Sequence, residues 1–256
     1  MIQPPAPQPE PAAGDDAWHT LVADMAQHLR TIRDMPELAS FRQTHALPRA
    51  FFEHAAAFYD AVDRLIELAL RASGDDTRIH CAKGCANCCI DLVRGITALE
   101  IIHIYHHVRP WSDCKQLFEY HRDSAEQFSY ILLECGGPGD VPATGDDPRI
   151  AEAHMRYNTL RRPCGFLDQQ TGTCRIYPAR PLACRYFFSL DPPETCTPTH
   201  ERYFQRRIRT VHLPPDIHQL LREIESALGF RPLNYLSGAF CEFTAATMHI
   251  EPIRVL

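Results

Sequence analysis

Four thiols within nine residues, "CAKGCANCC" from Cys81 to Cys89, restrict this chain more than any other stretch. Gly84 and the close spacing of the thiols suit neither helix nor strand, so the segment reads as a loop. The chain holds eleven cysteines in 256 residues, an odd total that fits a complete disulfide framework poorly. Its N-terminus, "MIQPPAPQPEPAAGDD", has no basic region and no apolar core, so it does not read as a secretory signal, and the expected compartment is the cytoplasm. In a reducing compartment, clustered thiols bind metal or do redox chemistry more often than they form disulfides.

Nothing in the composition requires crosslinks for folding: 45% of residues are apolar, enough for a core. A formal charge of -6 provides no overall attraction to nucleic acid or anionic membrane. The one basic stretch, "RYFQRRIR" (Arg202 to Arg209), reads as a helix that spreads its arginines around the surface, so no nucleic-acid partner is expected. The most apolar stretch, "FFEHAAAFYDAVDRLIELAL", is interrupted by Glu53, Asp60, Asp63 and Arg64, whereas a span needs about 20 mainly apolar residues. Residues 1–16 read as a disordered proline-rich tail and 17–256 as a single domain. Within it, a metal-binding core of about residues 80–200 follows an N-terminal helical extension over 17–76.

The patterning is helical. Leu21, Met25 and Leu29 mark a helix over 17–34. Phe51, Phe52, Ala55, Phe58, Val62, Leu65 and Leu68 form the stripe of a helix over 48–72, with Pro48 in its first turn and "SGDD" (Ser73 to Asp76) ending it. After a short extended piece, "IDLVRGI", Thr97 and Glu100 have capping-box spacing ahead of a helix ending at Pro110. Further helices are expected over 112–133, 149–160 and 215–228, with a loop over 136–148. The rest of the C-terminal third is weakly patterned. The fold class is therefore mainly α: an irregular helical domain with a small β-hairpin and two cysteine-rich metal-binding loops.

The second loop is "PCGFLDQQTGTCRIYPARPLACRYF", which carries Cys164, Cys174 and Cys184. "FLDQQTGTCRIY" has apolar ends around a polar turn containing Gly172, the pattern of a hairpin that returns Cys174 to the side of Cys164. Pro178 and Pro181 read as stiffening an extended connection to Cys184. Seven thiolates held together repel one another unless a cation compensates them, and this favours a metal. Lys83, Arg175, Arg180 and Arg185 flank the cysteines, where they could offset negative charge or donate hydrogen bonds to sulfur.

These motifs resemble the YkgJ-type cysteine-cluster proteins, a family described broadly as zinc- or iron-chelating. The likeness rests on "CAKGCANCC" (Cys81, Cys85, Cys88, Cys89), "PCGFL" (Cys164), "GTCRIY" (Cys174) and "RPLACR" (Cys184), and covers about residues 80–188. The resemblance implies a cytosolic metalloprotein. Flagellin lysine methylases carry a related cysteine pattern, so it also implies that a redox or a peptide- or protein-modifying activity, with a protein or peptide substrate, is within the family's range.

One structural zinc site or one [4Fe-4S] cluster takes four ligands, so seven cysteines exceed a single site. Cys196, in "DPPETCTPTH", makes an eighth and allows two complete sites. The cofactor expected is an iron–sulfur cluster, [4Fe-4S] in type, or zinc; thiolate count alone does not separate them. Cys114, Cys135 and Cys241 lack motif context and read as buried small hydrophobes. His103 and His107 share a helical face, which reads as an amphipathic surface, while His80 and His200 are candidates for auxiliary ligands. The spacing C-x-x-x-C-x-x-C also occurs in radical S-adenosylmethionine enzymes. Those place an aromatic residue before the third cysteine, where this chain has Asn87, and they need repeated strand–helix units that are absent from this pattern. The remaining alternatives are a structural zinc module presenting a helical surface to a partner, and a metal carrier or sensor.

Overall fold

The computed structural model describes residues 16–72, 79–81, 84–136, 147–197 and 199–247. Of the expected tail, only Asp16 falls within them, as the first residue of α1. "SGDD", Lys83 and most of the 136–148 loop lie outside the described residues.

Mainly α architecture is what the chain adopts, with two small antiparallel sheets of two strands each among the described residues. The helices among the described residues are α1 (Asp16–Arg33), the short α2 (Phe41–Thr44), α3 (Arg49–Ala72), α4 (Ala98–Val108), α5 (Cys114–Glu134), α6 (Pro148–Thr159), α7 (Pro215–Leu228) and α8 (Leu236–Thr247). In α3, Phe51, Ala55, Phe58, Val62 and Leu65 are all completely buried, as their 3- and 4-residue spacing requires. The capping box of α4 forms as its sequence suggests: the Glu100 amide donates to Thr97 Oγ1, and the Thr97 amide donates back to Glu100 Oε2 at 2.7 Å. α7 starts at Pro215 and ends at Gly229, whose φ of 59° only glycine adopts without strain.

α4 lies at the centre and packs against α3, α7 and α8; α1 lies on α3 and α7, and α5 packs between α6 and α8. The main core runs through all of these except α6. A smaller cluster, including Phe128, Leu132, Ala153 and Tyr157, joins α5 to α6.

Several expectations need correction. α4 has no solvated face over its first two turns, because every residue from Ala98 to Ile104 is buried, His103 included at 5% exposure. The surface reading of His103 is therefore wrong. It treated histidine as polar, whereas an uncharged imidazole packs as an aromatic ring. "RYFQRRIR" is not a helix; it forms a 3₁₀ turn (Tyr203–Gln205) followed by strand β4 (Ile208–Thr210). β4 pairs with β3 (Phe187–Ser189), in register Phe187↔Thr210. The connection between Cys174 and Cys184 is not extended: two 3₁₀ turns, Tyr177–Ala179 and Leu182–Cys184, shorten it.

Candidate metal centre

The hairpin forms where its polar turn suggests. β1 (Leu167–Asp168) pairs with β2 (Thr173–Cys174), Leu167 opposite Cys174, and Gly172 turns the chain at a φ of 68°. The Leu167 amide donates to the Cys164 carbonyl, which ties Cys164 to the base of the same hairpin.

The first cysteine loop lies directly against this hairpin. The Cys164 amide donates to the Cys89 carbonyl at 2.6 Å. At the hairpin tip, a methyl group on Gly172 would lie 3.3 Å from the Gly84 carbonyl oxygen. A third attachment comes from β3: the Ser189 amide donates to Cys81 Sγ at 3.0 Å, while the Ser189 carbonyl accepts from His80. Past the thiols the loop is fixed as firmly. Asn158 Oδ1 accepts from the Leu92 amide at 2.9 Å, and the Tyr203 hydroxyl donates to Asp91. Of its cysteines, Cys88 and Cys89 lie on a 3₁₀ turn, Asn87–Ile90.

The turn bearing Cys184 is held from inside the molecule. Glu100, fully buried at the start of α4, accepts from the Leu182 amide at 2.6 Å. Arg185 is 1% exposed and satisfies the surrounding backbone: its guanidinium donates to the carbonyls of Pro178 and Arg180 and to Asp63 on α3, and it lies over the Tyr59 ring. Arg175 and Arg185 thus direct their hydrogen bonds to oxygen rather than to sulfur. Arg175 pairs with Asp113 and lies over Trp111; Arg180 lies over Tyr177 and 3.9 Å from Asp63. Their influence on sulfur is through charge, since Arg180 and Arg185 both favour the thiolate of Cys174.

The electrostatic neighbourhoods divide the thiols into two sets. Burial pushes the Cys81 thiol up to about 11, with Cys88, Cys196 and Cys85 adding repulsion against the Ser189 hydrogen bond. Cys196 is raised by burial and by Cys88 and Cys85. In the other set, burial pushes Cys164 up to about 12 with Cys174 and Cys88 adding repulsion, and Cys184 rises through burial and then Cys164, Cys88 and Cys174. Cys88 belongs to both neighbourhoods; its own thiol is held protonated first by a hydrogen bond with Cys89 and then by burial. Cys88 and Cys184 nevertheless have exposed surface. Among the described residues no three His, Cys, Asp or Glu side chains close into a preformed metal cage. The backbones of the two loops touch, and Cys88 of the first adds repulsion to the thiols of Cys164, Cys174 and Cys184 of the second.

The auxiliary candidates are less well placed. His80 is held through its backbone, and His200 Nδ1 accepts from the Arg202 amide, which occupies that nitrogen. Of the three cysteines without motif context, Cys241 is completely buried, as expected; Cys114 and Cys135 are half-buried, and Arg156 donates to Cys135 Sγ at 3.4 Å. The sequence reading missed Ser189 and Asn158, which anchor the first loop. Their only signals were a hydroxyl after two phenylalanines and an amide within an amphipathic helix, and neither singles them out.

Residues 80–204 match a family model described as "CxxCxxCC: putative zinc- or iron-chelating domain". No curated protein and no solved structure matches the chain. Among the described residues no helix is long and apolar enough to cross a membrane.

Proposed function

Taking residues 80–204 as a domain of the zinc- or iron-chelating cysteine-cluster family, we propose that eight thiolates, from Cys81, Cys85, Cys88, Cys89, Cys164, Cys174, Cys184 and Cys196, bind metal in two adjoining sets. Cys81, Cys85 and Cys196 belong to one set, and Cys164, Cys174 and Cys184 to the other. The adjacent pair Cys88 and Cys89 supplies one further ligand to each. The observation that carries this reading is the pair of backbone attachments between the loops, Cys164 to Cys89 and Gly172 against Gly84. Burial disfavours the thiolates of Cys81, Cys88, Cys164, Cys174, Cys184 and Cys196, and a metal would compensate it.

The metal favoured is iron, in iron–sulfur form. This choice follows the resemblance to the cysteine-cluster family, since eight thiolates fill two zinc sites as readily as two clusters. An iron–sulfur centre supplies one-electron transfer. The chain's own contribution is to hold the thiols, to offset their charge with Arg180 and Arg185, and to leave Cys88 and Cys184 open to a reactant. The activity that follows is a redox or a peptide- or protein-modifying reaction in the cytoplasm.

Anaerobic purification followed by elemental analysis tests this reading. Iron and acid-labile sulfide in excess of zinc are expected, with absorption near about 400 nm that dithionite bleaches. Cys88→Ser should lower the metal content of the one set that it completes, whereas Cys241→Ser should leave it unchanged. Colourless protein with stoichiometric zinc would instead favour a structural zinc module, and metal that exchanges freely would favour a carrier or sensor.

A further inference from the structure

We propose that a cavity of about 630 Å³ between α3, α4 and α8 is a second binding site, separate from the cysteines, for a small organic acid with an apolar body. The volume falls within the range that holds small ligands, roughly 300–1,000 Å³. Phe52, Ile102 and Phe243 supply apolar wall, and His45, His103 and His106 supply the polar groups. His103 is 95% removed from solvent by its 5% exposure, and neither its Nδ1 nor that of His106 has a hydrogen-bond partner among the described residues. Both rings are held in place by stacking, His106 on Phe52 at 3.7 Å and His103 on Tyr59 at 5.1 Å. Burial holds both imidazoles below their ordinary range, His103 at about 3, so they offer hydrogen bonds without charge.

The charge lies at the edge of the cavity. Arg49 and Arg109 line it, and the one carboxylate among its lining residues, Glu53, is paired with Arg49 at 2.7 Å. α3 begins at Arg49, so the partial positive charge of its N-terminus adds to theirs. An anionic head group matches this edge and an apolar body matches the interior.

Calorimetric titration of the full chain, with its metal content measured beforehand, tests the site using octanoate and phenylacetate as probes. Their uncharged counterparts, octanol and 2-phenylethanol, serve as comparison. At least one acid should bind saturably, one per chain, with Kd below about 1 mM, and about tenfold more tightly than the matching alcohol. Ala56→Trp, which fills the cavity from an exposed helix position, should weaken binding by at least about tenfold; Arg109→Glu, at an exposed position, should weaken the acids and not the alcohols. Circular dichroism establishes that each variant is folded. The proposal is overturned if neither acid saturates on folded protein, if both variants bind like the parent, or if acids and alcohols bind equally.

Discussion

Gly165 has no side chain because there is no room for one. A methyl group there would lie 2.5 Å from His121 Nε2 and 2.9 Å from Tyr120 Cδ1. His121 cannot easily withdraw, since its ring is packed between Phe166 and Phe240 and its Nδ1 is bonded to Ser237 Oγ at 3.1 Å. Tyr120 is likewise committed, its hydroxyl donating to the Pro163 carbonyl. Gly165→Ala should therefore push the chain at Cys164 outward, costing about 1–3 kcal/mol as overpacking does, and metal bound per chain should fall with it. Urea denaturation and elemental analysis of the same preparation check both effects; a fully stable variant with full metal would show that the loop has slack. Nothing in "PCGFL" disclosed this constraint, because the obstructing ring comes from a helix 44 positions earlier.

At the scale of elements, the turn Leu182–Cys184 exists in its observed shape because two buried groups hold it, Glu100 from α4 and Arg185 from its own end. Removing Arg185 leaves two carbonyls without their donor and Asp63, itself 41% exposed, without its closest partner; leaving such groups unsatisfied costs about 1–3 kcal/mol. Arg185→Met should show a loss of that order in chemical denaturation. Arg185→Lys should recover only part, because an ammonium cannot span three acceptors as a planar guanidinium does. A lysine variant as stable as the parent would mean that charge alone is required. The contrast between α7 and α8 explains why some elements were legible in the sequence and others were not. α7 alternates a buried stripe (Ile217, Leu220, Leu221, Ile224, Leu228) with polar residues between Pro215 and Gly229, so its bounds can be read directly. α8 buries Leu236, Ala239, Phe240, Cys241, Phe243, Thr244 and Ala245, and a helix buried nearly all round has no periodicity to read. The two cysteine segments were legible from spacing. Their attachment through Ser189 was not, because β3 and β4 are three residues each and pair across a connection with no local signal.

For the molecule as a whole, packing aromatic rings of histidine into the interior makes stability depend on pH. Burial holds His103 and His121 at about 3 and His154 at about 4, with nearby positive groups adding to the effect. Each of the three has a ring nitrogen with no hydrogen-bond partner among the described residues. A histidine with a depressed folded-state pKa contributes its full stabilisation above the unfolded value of about 6.5 and loses it as pH falls toward the folded value, because only the unfolded chain takes up the proton. The cost is about 1.4 kcal/mol per pH unit for each fully protected ring. Four carboxyls act in the opposite sense: burial raises Asp91 to about 6 and Glu100, Glu225 and Glu242 above their usual range, so the folded state takes up those protons first. The net slope is thus a difference, and a single variant isolates one contribution. His121→Phe places a third apolar ring beside Phe166 and Phe240 and removes one titrating group. Between pH 6.5 and pH 5 the parent should lose stability to urea more steeply than this variant, by a difference that rises from about 0.7 to about 1.4 kcal/mol per pH unit as the unfolded imidazole fills with protons. Parallel pH profiles for the two proteins would mean that His121 gains its proton as readily in the folded chain as in the unfolded one, and that the packing around it opens far enough to admit water.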